Sequence, residues 1–146
     1  MQKYKHWDVT SKIIDASMEV HRVLGADYQE IIYHNALFLA LKARGLVFNK
    51  EKEFKIIFNN TIVGIHNLDL VVADKVVVEL KAVTGEMPDI SGAQVISYLK
   101  ASKLEIALLI NFGNESLDVK RLVRFHDYHS TRINRIKHGI YTDLNG

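Results

Sequence analysis

The feature that most constrains the fold is a nearly continuous apolar run at residues 76–83, which includes three consecutive valines. β-branched residues suit a strand, and a strand that is apolar on both faces is typically buried between two layers. A second apolar run occupies residues 104–112, and a helical segment separates the two at about residues 89–101. This succession of strand, helix and strand predicts a crossover in a mixed β-sheet that is flanked by helices.

Two helices are predicted ahead of this crossover. Apolar residues recur at three- and four-residue steps over about residues 9–24 and again over about residues 28–43, which indicates one buried face on each helix. Gly25 and Gly45 follow these segments, and glycine readily adopts the left-handed conformation that ends many helices.

Further strands and a short final helix complete the predicted order. Residues 46–58 and 61–72 form two strand-like segments and flank Asn59-Asn60, a pair that tolerates positive φ and suits a hairpin turn. Residues 117–125 alternate in the manner of a last strand, and the tail from about residue 126 is predicted to be a short basic helix. We therefore predict an α/β (α+β) fold with the element order ααβββαββα.

Composition limits the class of protein more than its chemistry. A chain of 146 residues without linkers or internal repeats predicts a single domain over residues 1–146. The absence of cysteine excludes disulfides, thiolate zinc sites and a cysteine nucleophile, and it fits a reducing compartment. No apolar run approaches the length of a membrane helix, and no apolar signal core follows the N-terminus. We therefore expect a cytoplasmic protein without a membrane segment.

The formal net charge is only +2, but the charges are unevenly distributed. Basic residues collect near the C-terminus, where Asp127 is the only acidic residue between positions 120 and 137. Such a segment can contact the phosphates of a nucleic acid, or it can be a solvated tail that maintains solubility. The candidates for contact with a nucleic-acid backbone are Lys120, Arg121, Arg124, Arg132, Arg135 and Lys137.

Charged residues interrupt two of the predicted buried strands. Asp69 lies within an apolar stretch, and Glu79 and Lys81 are two residues apart in the valine-rich run, so that they share a strand face. Charges in such positions are costly unless they are paired or bound to a metal. One interpretation is a structural ion pair, and the other is that two neighbouring carboxylates form a site for a hard cation.

The geometry of the intervening hairpin determines whether Asp69 and Glu79 meet. A two-residue turn would set Asp69 opposite Leu80 and send its side chain to the other face of the sheet. A three-residue loop at residues 73–75 would set Asp69 directly opposite Glu79. A metal site therefore requires an odd-length loop or a β-bulge near Asp69.

Polar residues at helical spacing could join this site. Gln94 and Tyr98 are four residues apart in the crossover helix, so they lie on one helix face. Glu30 and Tyr33 are three residues apart near the start of the second helix, where an acidic residue also interacts favourably with the helix dipole. Both pairs are also compatible with an ordinary polar helix surface.

The chain resembles the PD-(D/E)XK nuclease superfamily and, within it, the GxxExxY protein family over about residues 13–121. The stretches that carry this resemblance are Glu19-Val20-His21, Leu24-Gly25, Glu30-x-x-Tyr33, Asp69-Leu70-x-Val72, Val78-Glu79-Leu80-Lys81-Ala82-Val83, Ala93-Gln94-x-x-x-Tyr98-Leu99-Lys100 and Leu109-Ile110-Asn111-Phe112-Gly113. One position departs from the pattern, because Asp27 stands where the family name places a glycine. The resemblance implies a restriction-endonuclease-like core.

The resemblance also implies a metal-dependent phosphodiesterase site. The carboxylates of Asp69, Glu79 and Glu30 would hold Mg²⁺ or Mn²⁺. The backbone carbonyl of Leu80 would be a further ligand. Lys81 would orient the attacking water or stabilise the charge that develops on phosphorus, and Gln94 would position the water or the phosphate. Tyr98 and Tyr33 would support these side chains.

Three hypotheses follow for the function. The first is a Mg²⁺-dependent nuclease that hydrolyses phosphodiester bonds of DNA or RNA. The second is a module on the same fold that binds nucleic acid or another protein without catalysis, because a fold does not determine a function. The third is a purely structural network of ion pairs. Many nucleases of this superfamily act as dimers, so the resemblance also suggests a homodimer.

Overall fold

In the part of the chain that the structure describes, seven strands form one sheet in which each strand neighbours the next along the chain. The computed structural model describes residues 4–124 in full and, beyond them, the backbone of residues 131–137 and 140–143. The strands are β1 (Phe48–Phe58), β2 (Thr61–Val72), β3 (Val76–Lys81), β4 (Ile106–Asn111), β5 (Asp118–Arg124), β6 (Thr131–Lys137) and β7 (Ile140–Asp143). Neighbouring strands are antiparallel except β3 and β4, which are parallel.

Two helices precede the sheet and pack on one of its faces. Helix α1 spans Trp7–Leu24 and helix α2 spans Glu30–Ala43, close to the predicted bounds. Gly25 ends α1 at a φ of +71°, and its N–H donates to the carbonyl oxygen of His21. Among the described residues, no helix has both the length and the apolar character needed to cross a membrane.

A third helix, α3 (Asp89–Ser102), connects the two parallel strands and covers the opposite face. Alternate residues of β3 therefore meet different helices: Val78 packs in the cluster that contains residues of α1 and α2, whereas Val77 packs in the cluster that contains α3 residues. Burial on both faces explains the uninterrupted valines. The predicted mixed sheet with flanking helices is confirmed.

The predicted order is confirmed from α1 to β5, but the helix predicted from about residue 126 is wrong. Residues 131–137 and 140–143 form β6 and β7 instead, and β6 pairs with β5 over its whole length. Strand β5 would otherwise present a row of unpaired backbone N–H and C=O groups at the sheet edge. Pairing with these groups stabilises an extended tail over the helix that its local sequence suggested.

Two asparagine side chains hold the segment that follows β3. Asn111 receives the backbone N–H of Val83 at 3.0 Å and donates to its carbonyl oxygen at 2.9 Å. Asn114 makes the same pair of bonds with Gly85, at 2.7 and 2.8 Å. The backbones approach so closely that a Cβ at Gly113 would lie 2.3 Å from the carbonyl oxygen of Val83. These contacts fix the path from the end of β3 towards α3.

Candidate active site

The β2–β3 hairpin brings the two strand carboxylates into register. Its strands pair Leu70 with Val78, and its turn consists of residues 73–75. Extended by one residue beyond its last pair, this register sets Asp69 opposite Glu79. The odd-length loop that a metal site requires is therefore confirmed.

Strand β2 is irregular at Asp69. Leu68 and Leu70 are two residues apart and would share a face in a regular strand. Instead, Leu68 packs in the α3 cluster and Leu70 in the cluster of α1 and α2. On the adjoining strand β1, Glu51 has a φ of +54°. The side chain of Asp69 thus sits where the strand changes face, within reach of both β3 and α2.

Glu79 is the most buried carboxyl group of the site. Glu79 is only 4% exposed, and its Oε1 lies 3.9 Å from Nζ of Lys81. Among the described residues, no N–H or O–H group donates to its Oε2. The pKa of Glu79 is raised to about 8: burial is the largest cause, the hydrogen bond and the negative charge of Asp69 add to it, Lys81 opposes the shift, and Glu30 adds a smaller increase.

Helix α2 contributes an acidic residue that was predicted and a histidine that was not. Nε2 of His34 lies 3.6 Å from Oε2 of Glu30 and 3.8 Å from Oδ2 of Asp69. His34 is 8% exposed and its ring packs against Phe38. Donor atoms of Glu30, His34 and Asp69 all lie within 4.8 Å of one another. The four-residue spacing of Glu30 and His34 is the sequence signal that could have revealed this histidine.

Helix α3 brings Tyr98 to the other side of the carboxylates. Burial raises the pKa of the Tyr98 hydroxyl, the negative charges of Glu79 and Asp69 raise it further, and a hydrogen bond with Gln94 opposes them. The ring of Tyr98 meets His66 edge to face, with centroids 5.0 Å apart. Gln94 itself is exposed. Tyr98 therefore faces the strand carboxylates, and Gln94 is joined to Tyr98 by a hydrogen bond.

Tyr33 does not face the carboxylates but supports the start of α2. It is fully buried, its hydroxyl donates to the carbonyl oxygen of Gly25 at 2.5 Å, and it accepts the backbone N–H of Tyr28 at 3.3 Å. Its ring stacks on Phe112 at 4.8 Å. Asp27, in the same loop, has a φ of +81°. Tyr33 thus positions the helix from which the acidic residue and the histidine project.

Two of the residues predicted to contact phosphates hydrogen-bond to backbone carbonyls of the fold. Arg121 is 3% exposed, and its Nη2 donates to the carbonyl oxygen of Lys5 at 3.0 Å. Arg124 donates to the carbonyl oxygens of Leu104 and Lys103, at 3.1 and 2.9 Å. Both guanidinium groups thus connect parts of the fold. The burial of Arg121 makes it unsuited to a phosphate, whereas contact of the half-buried Arg124 with a phosphate stays a prediction.

The remaining basic candidates lie on β5 and β6. Cross-strand pairing runs from Glu79 through Leu109 to Lys120 and then to Arg135. Directly paired residues share a face of the sheet, so Lys120 lies on the same face as Glu79, two strands away. The side chains of Arg132, Arg135 and Lys137 lie outside the described residues.

A cavity of about 410 Å³ opens beside the carboxylates, between α2 and the first two strands. Its wall includes Glu30, His34, Asp69 and Lys50. Nζ of Lys50 lies 4.6 Å above the ring of Phe38. The cavity therefore combines acidic donors with one basic side chain.

Comparison with known families identifies the class of protein. The family model of the PD-(D/E)XK nuclease superfamily matches residues 7–122, and the chain belongs to that superfamily. Membership implies a nuclease-type function and a nucleic-acid substrate, and nucleases of this superfamily generally use divalent metals. No curated protein and no solved structure gives a significant match.

The residues of the site fit a divalent cation. The carboxyl groups of Glu30, Asp69 and Glu79 influence one another electrostatically, while Lys81 supplies a positive charge opposite Glu79. The buried Oε2 of Glu79 lacks a donor among the described residues. Oxygen ligands of this kind are the ones that hard cations prefer.

Proposed function

We propose that this protein is a metal-dependent nuclease that hydrolyses phosphodiester bonds of DNA or RNA. The observation that carries the proposal is the meeting of Asp69, Glu79 and Lys81 at the end of a buried hairpin. The register of that hairpin is supported by a turn of the required length. A structural ion pair alone would not require a second carboxyl group beside Glu79.

The metal would be Mg²⁺ or Mn²⁺, held by Asp69, Glu79, Glu30 and the backbone carbonyl of Leu80. A bound ion of this kind polarises the scissile phosphate and lowers the pKa of a coordinated water. Glu79 must release its proton to act as a ligand. Its burial makes the carboxylate costly without a cation, which favours metal binding.

Lys81 and Gln94 would act on the substrate and the attacking water. The ammonium of Lys81 lies 3.9 Å from Glu79 and is partly exposed, so it can also reach a phosphate oxygen or hold the water. Gln94 is exposed on α3 and hydrogen-bonds to Tyr98, which is itself close enough to the carboxylates to feel their charge. Tyr98 would support the side chains of Lys81 and Gln94.

The substrate would approach from the cavity between α2 and β1–β2. Its exposed basic wall residue Lys50 is suited to phosphate contacts, because an ammonium group neutralises the backbone without a sequence preference. The half-buried Lys120, on the α3 side of the sheet, would contact a more distant part of the substrate. Phosphate contacts of Arg132, Arg135 and Lys137, whose side chains lie outside the described residues, are part of the same proposal.

We also propose that the chain belongs to the GxxExxY branch and acts in the cytoplasm as a homodimer. The positive φ of Asp27 supports the first part, because the glycine of that motif would occupy a position that needs this backbone conformation. Light scattering of the purified protein tests the dimer.

Cleavage assays test the proposed activity. The wild type and the variants Asp69→Ala and Lys81→Ala are incubated with single- and double-stranded DNA and RNA, with Mg²⁺, with Mn²⁺ and with a chelator. Lys12→Ala, an exposed lysine on α1, is the matched control. We expect metal-dependent cleavage by the wild type and the control, and a loss of at least about 100-fold in the two site variants.

Two outcomes would contradict the proposal. Equal cleavage by the site variants would indicate a contaminating nuclease. No cleavage of any substrate with either metal, together with salt-sensitive binding of nucleic acid, would favour the non-catalytic binding module.

A further inference from the structure

We infer that His34 supplies a nitrogen ligand to the metal site and thereby makes the site bind a divalent transition-metal ion such as Mn²⁺ in preference to Mg²⁺. This inference rests on the proposed function, because it concerns the same site, but it specifies the kind of ion that the site selects. Neither the spacing of the residues nor the family resemblance assigned a role to His34.

The position of His34 carries the first step. It lies one helical turn after Glu30, and its Nε2 faces both the Glu30 carboxylate at 3.6 Å and the Asp69 carboxylate at 3.8 Å. Both distances exceed the length of a hydrogen bond. The three donor atoms lie within 4.8 Å of one another. They therefore surround a space without bonding to each other, and one shared cation can bind in that space.

A second observation points to a ligand independently. Glu79, which the hairpin register sets opposite Asp69, is only 4% exposed, and no N–H or O–H group in the described part of the chain donates to its Oε2. Buried carboxylate oxygens are nearly always satisfied by a donor or by a metal. This oxygen, which receives no such donor and lies beside Asp69, extends the donor set of Glu30 and His34 towards β3.

The chemistry of the donor set determines the ion. Mg²⁺ prefers oxygen ligands and loses its coordinated water reluctantly, whereas imidazole nitrogen is a good ligand for first-row transition ions. A site with carboxylate oxygens alone would accept Mg²⁺ readily. The imidazole of His34 shifts the balance towards Mn²⁺ and the later transition ions.

The competing explanation is that His34 forms only a structural ion pair with the two carboxylates. In that case its replacement would change the stability of the fold but would leave the ratio of Mn²⁺ to Mg²⁺ affinity as it was. The experiment must therefore measure metal binding itself, without nucleic acid and without turnover.

The full chain is titrated with MnCl₂, and free Mn²⁺ is measured by electron paramagnetic resonance. The affinity for Mg²⁺ is measured by competition between MgCl₂ and bound Mn²⁺. The variants are His34→Gln and His34→Asn, and His66→Gln, which alters a histidine beside Tyr98, is the matched control. We expect His34→Gln to lower Mn²⁺ affinity at least about tenfold and Mg²⁺ affinity less than about threefold. Electron spin echo spectra of bound Mn²⁺ should contain ¹⁴N modulation in the wild type and the control, and none in the His34 variants.

An unchanged affinity ratio in a folded His34 variant, or the absence of ¹⁴N modulation in the wild type, would overturn the inference. The spin echo measurement on the wild type decides the matter even if both variants fail to fold. Metal binding without any contribution from His34 would leave the proposed nuclease site standing. Failure of the wild type to bind either ion would refute the metal site itself.

Discussion

Glu79 carries the largest electrostatic cost among the residues of the site. It lies in the buried strand β3, beside the carboxyl group of Asp69, and burial is the main reason that its pKa rises to about 8. The side chain of Lys81 offsets only part of this effect. Without a metal, Glu79 therefore retains a proton at neutral pH, and this has a measurable consequence for stability.

We predict that the metal-free protein becomes less stable as the pH rises from about 5 to 8. The pKa of Glu79 is about 8 in the folded state and 4.5 as the unperturbed value, so between these values the folded state holds a proton that the unfolded state has lost. Stability is fully present below the lower value and is lost as the pH rises through the higher one. The slope contributed by this group is at most about 1.4 kcal/mol per pH unit.

Urea unfolding at several pH values, with a chelator present, checks this prediction. The variant Glu79→Gln cannot lose a proton at this position, so its free energy of unfolding should fall less over the same range. Identical pH profiles for the wild type and Glu79→Gln would contradict the assignment of the slope to Glu79.

Asp27 adopts a left-handed backbone conformation at a φ of +81° in the loop before α2. Glycine tolerates this region without steric cost, whereas alanine is disfavoured by roughly 1 kcal/mol. We predict that Asp27→Gly is at least as stable as the wild type and that Asp27→Ala is less stable by about 1 kcal/mol. Chemical denaturation measures the difference in the free energy of unfolding. Equal stability of the two variants would contradict a strained backbone at Asp27.

At the scale of elements, the hairpin β2–β3 and the crossover through α3 define the site. The bounds of β2 coincide with the prediction, because both flanking turns are marked by residues that accept positive φ, such as Asn60 and Asp74. Strand β3 ends two residues earlier than predicted, at Lys81. The side chain of Asn111 forms two hydrogen bonds with the backbone of Val83, which therefore does not continue the strand.

We predict that Gly113→Ala destabilises the protein and impairs the site. A Cβ at this position would lie 2.3 Å from the carbonyl oxygen of Val83 and 2.5 Å from its nitrogen, so the segment after β3 would have to move. The expected loss is about 2 kcal/mol or more, typical of severe overpacking. Thermal and urea unfolding measure it, and metal titration reports the effect on the site.

Gly92→Ala is the matched control for this substitution. Gly92 lies within α3, and no described neighbour is closer than 4 Å to a Cβ built there. Alanine favours helix by about 1 kcal/mol over glycine, so this variant should be more stable than the wild type. If both variants lost stability to the same degree, the close approach at Gly113 would not be the cause.

At the scale of the whole molecule, the site depends on three separate elements that meet over the sheet. Helix α2 brings Glu30 and His34, the hairpin brings Asp69 and Glu79, and α3 brings Tyr98. A cation held between them would therefore connect distant parts of the chain. Since the unfolded chain cannot assemble this set, metal binding should add to the stability of the fold.

We predict that Mn²⁺ raises the free energy of unfolding, by about 2.7 kcal/mol at a free concentration 100 times the dissociation constant. The variant Asp69→Asn should lose this stabilisation, whereas Asp8→Asn, an exposed acidic residue on α1, should retain it. Urea unfolding with and without Mn²⁺ provides the measurement. Equal stabilisation of both variants would show that the ion acts elsewhere.

Local patterns determined much of the fold and part of the site. The apolar runs required a sheet covered on both faces, and the face-sharing of Glu79 and Lys81 followed from the two-residue period of a strand. Hairpin geometry showed that Asp69 and Glu79 can lie opposite each other only if the loop between their strands has an odd length. The observed turn has three residues. These features could be predicted because each depends on residues that are close in sequence.

Tertiary structure alone decided the rest. His34 meets Asp69 only because α2 docks on the sheet where β2 changes face, and no local period encodes that contact between residues far apart in the chain. Arg121 is buried against Lys5 for the same reason. The tail became strands because the backbone groups of β5 were available for pairing. A sequence determines local geometry through short-range sterics, whereas the partners of a side chain depend on how the whole core packs.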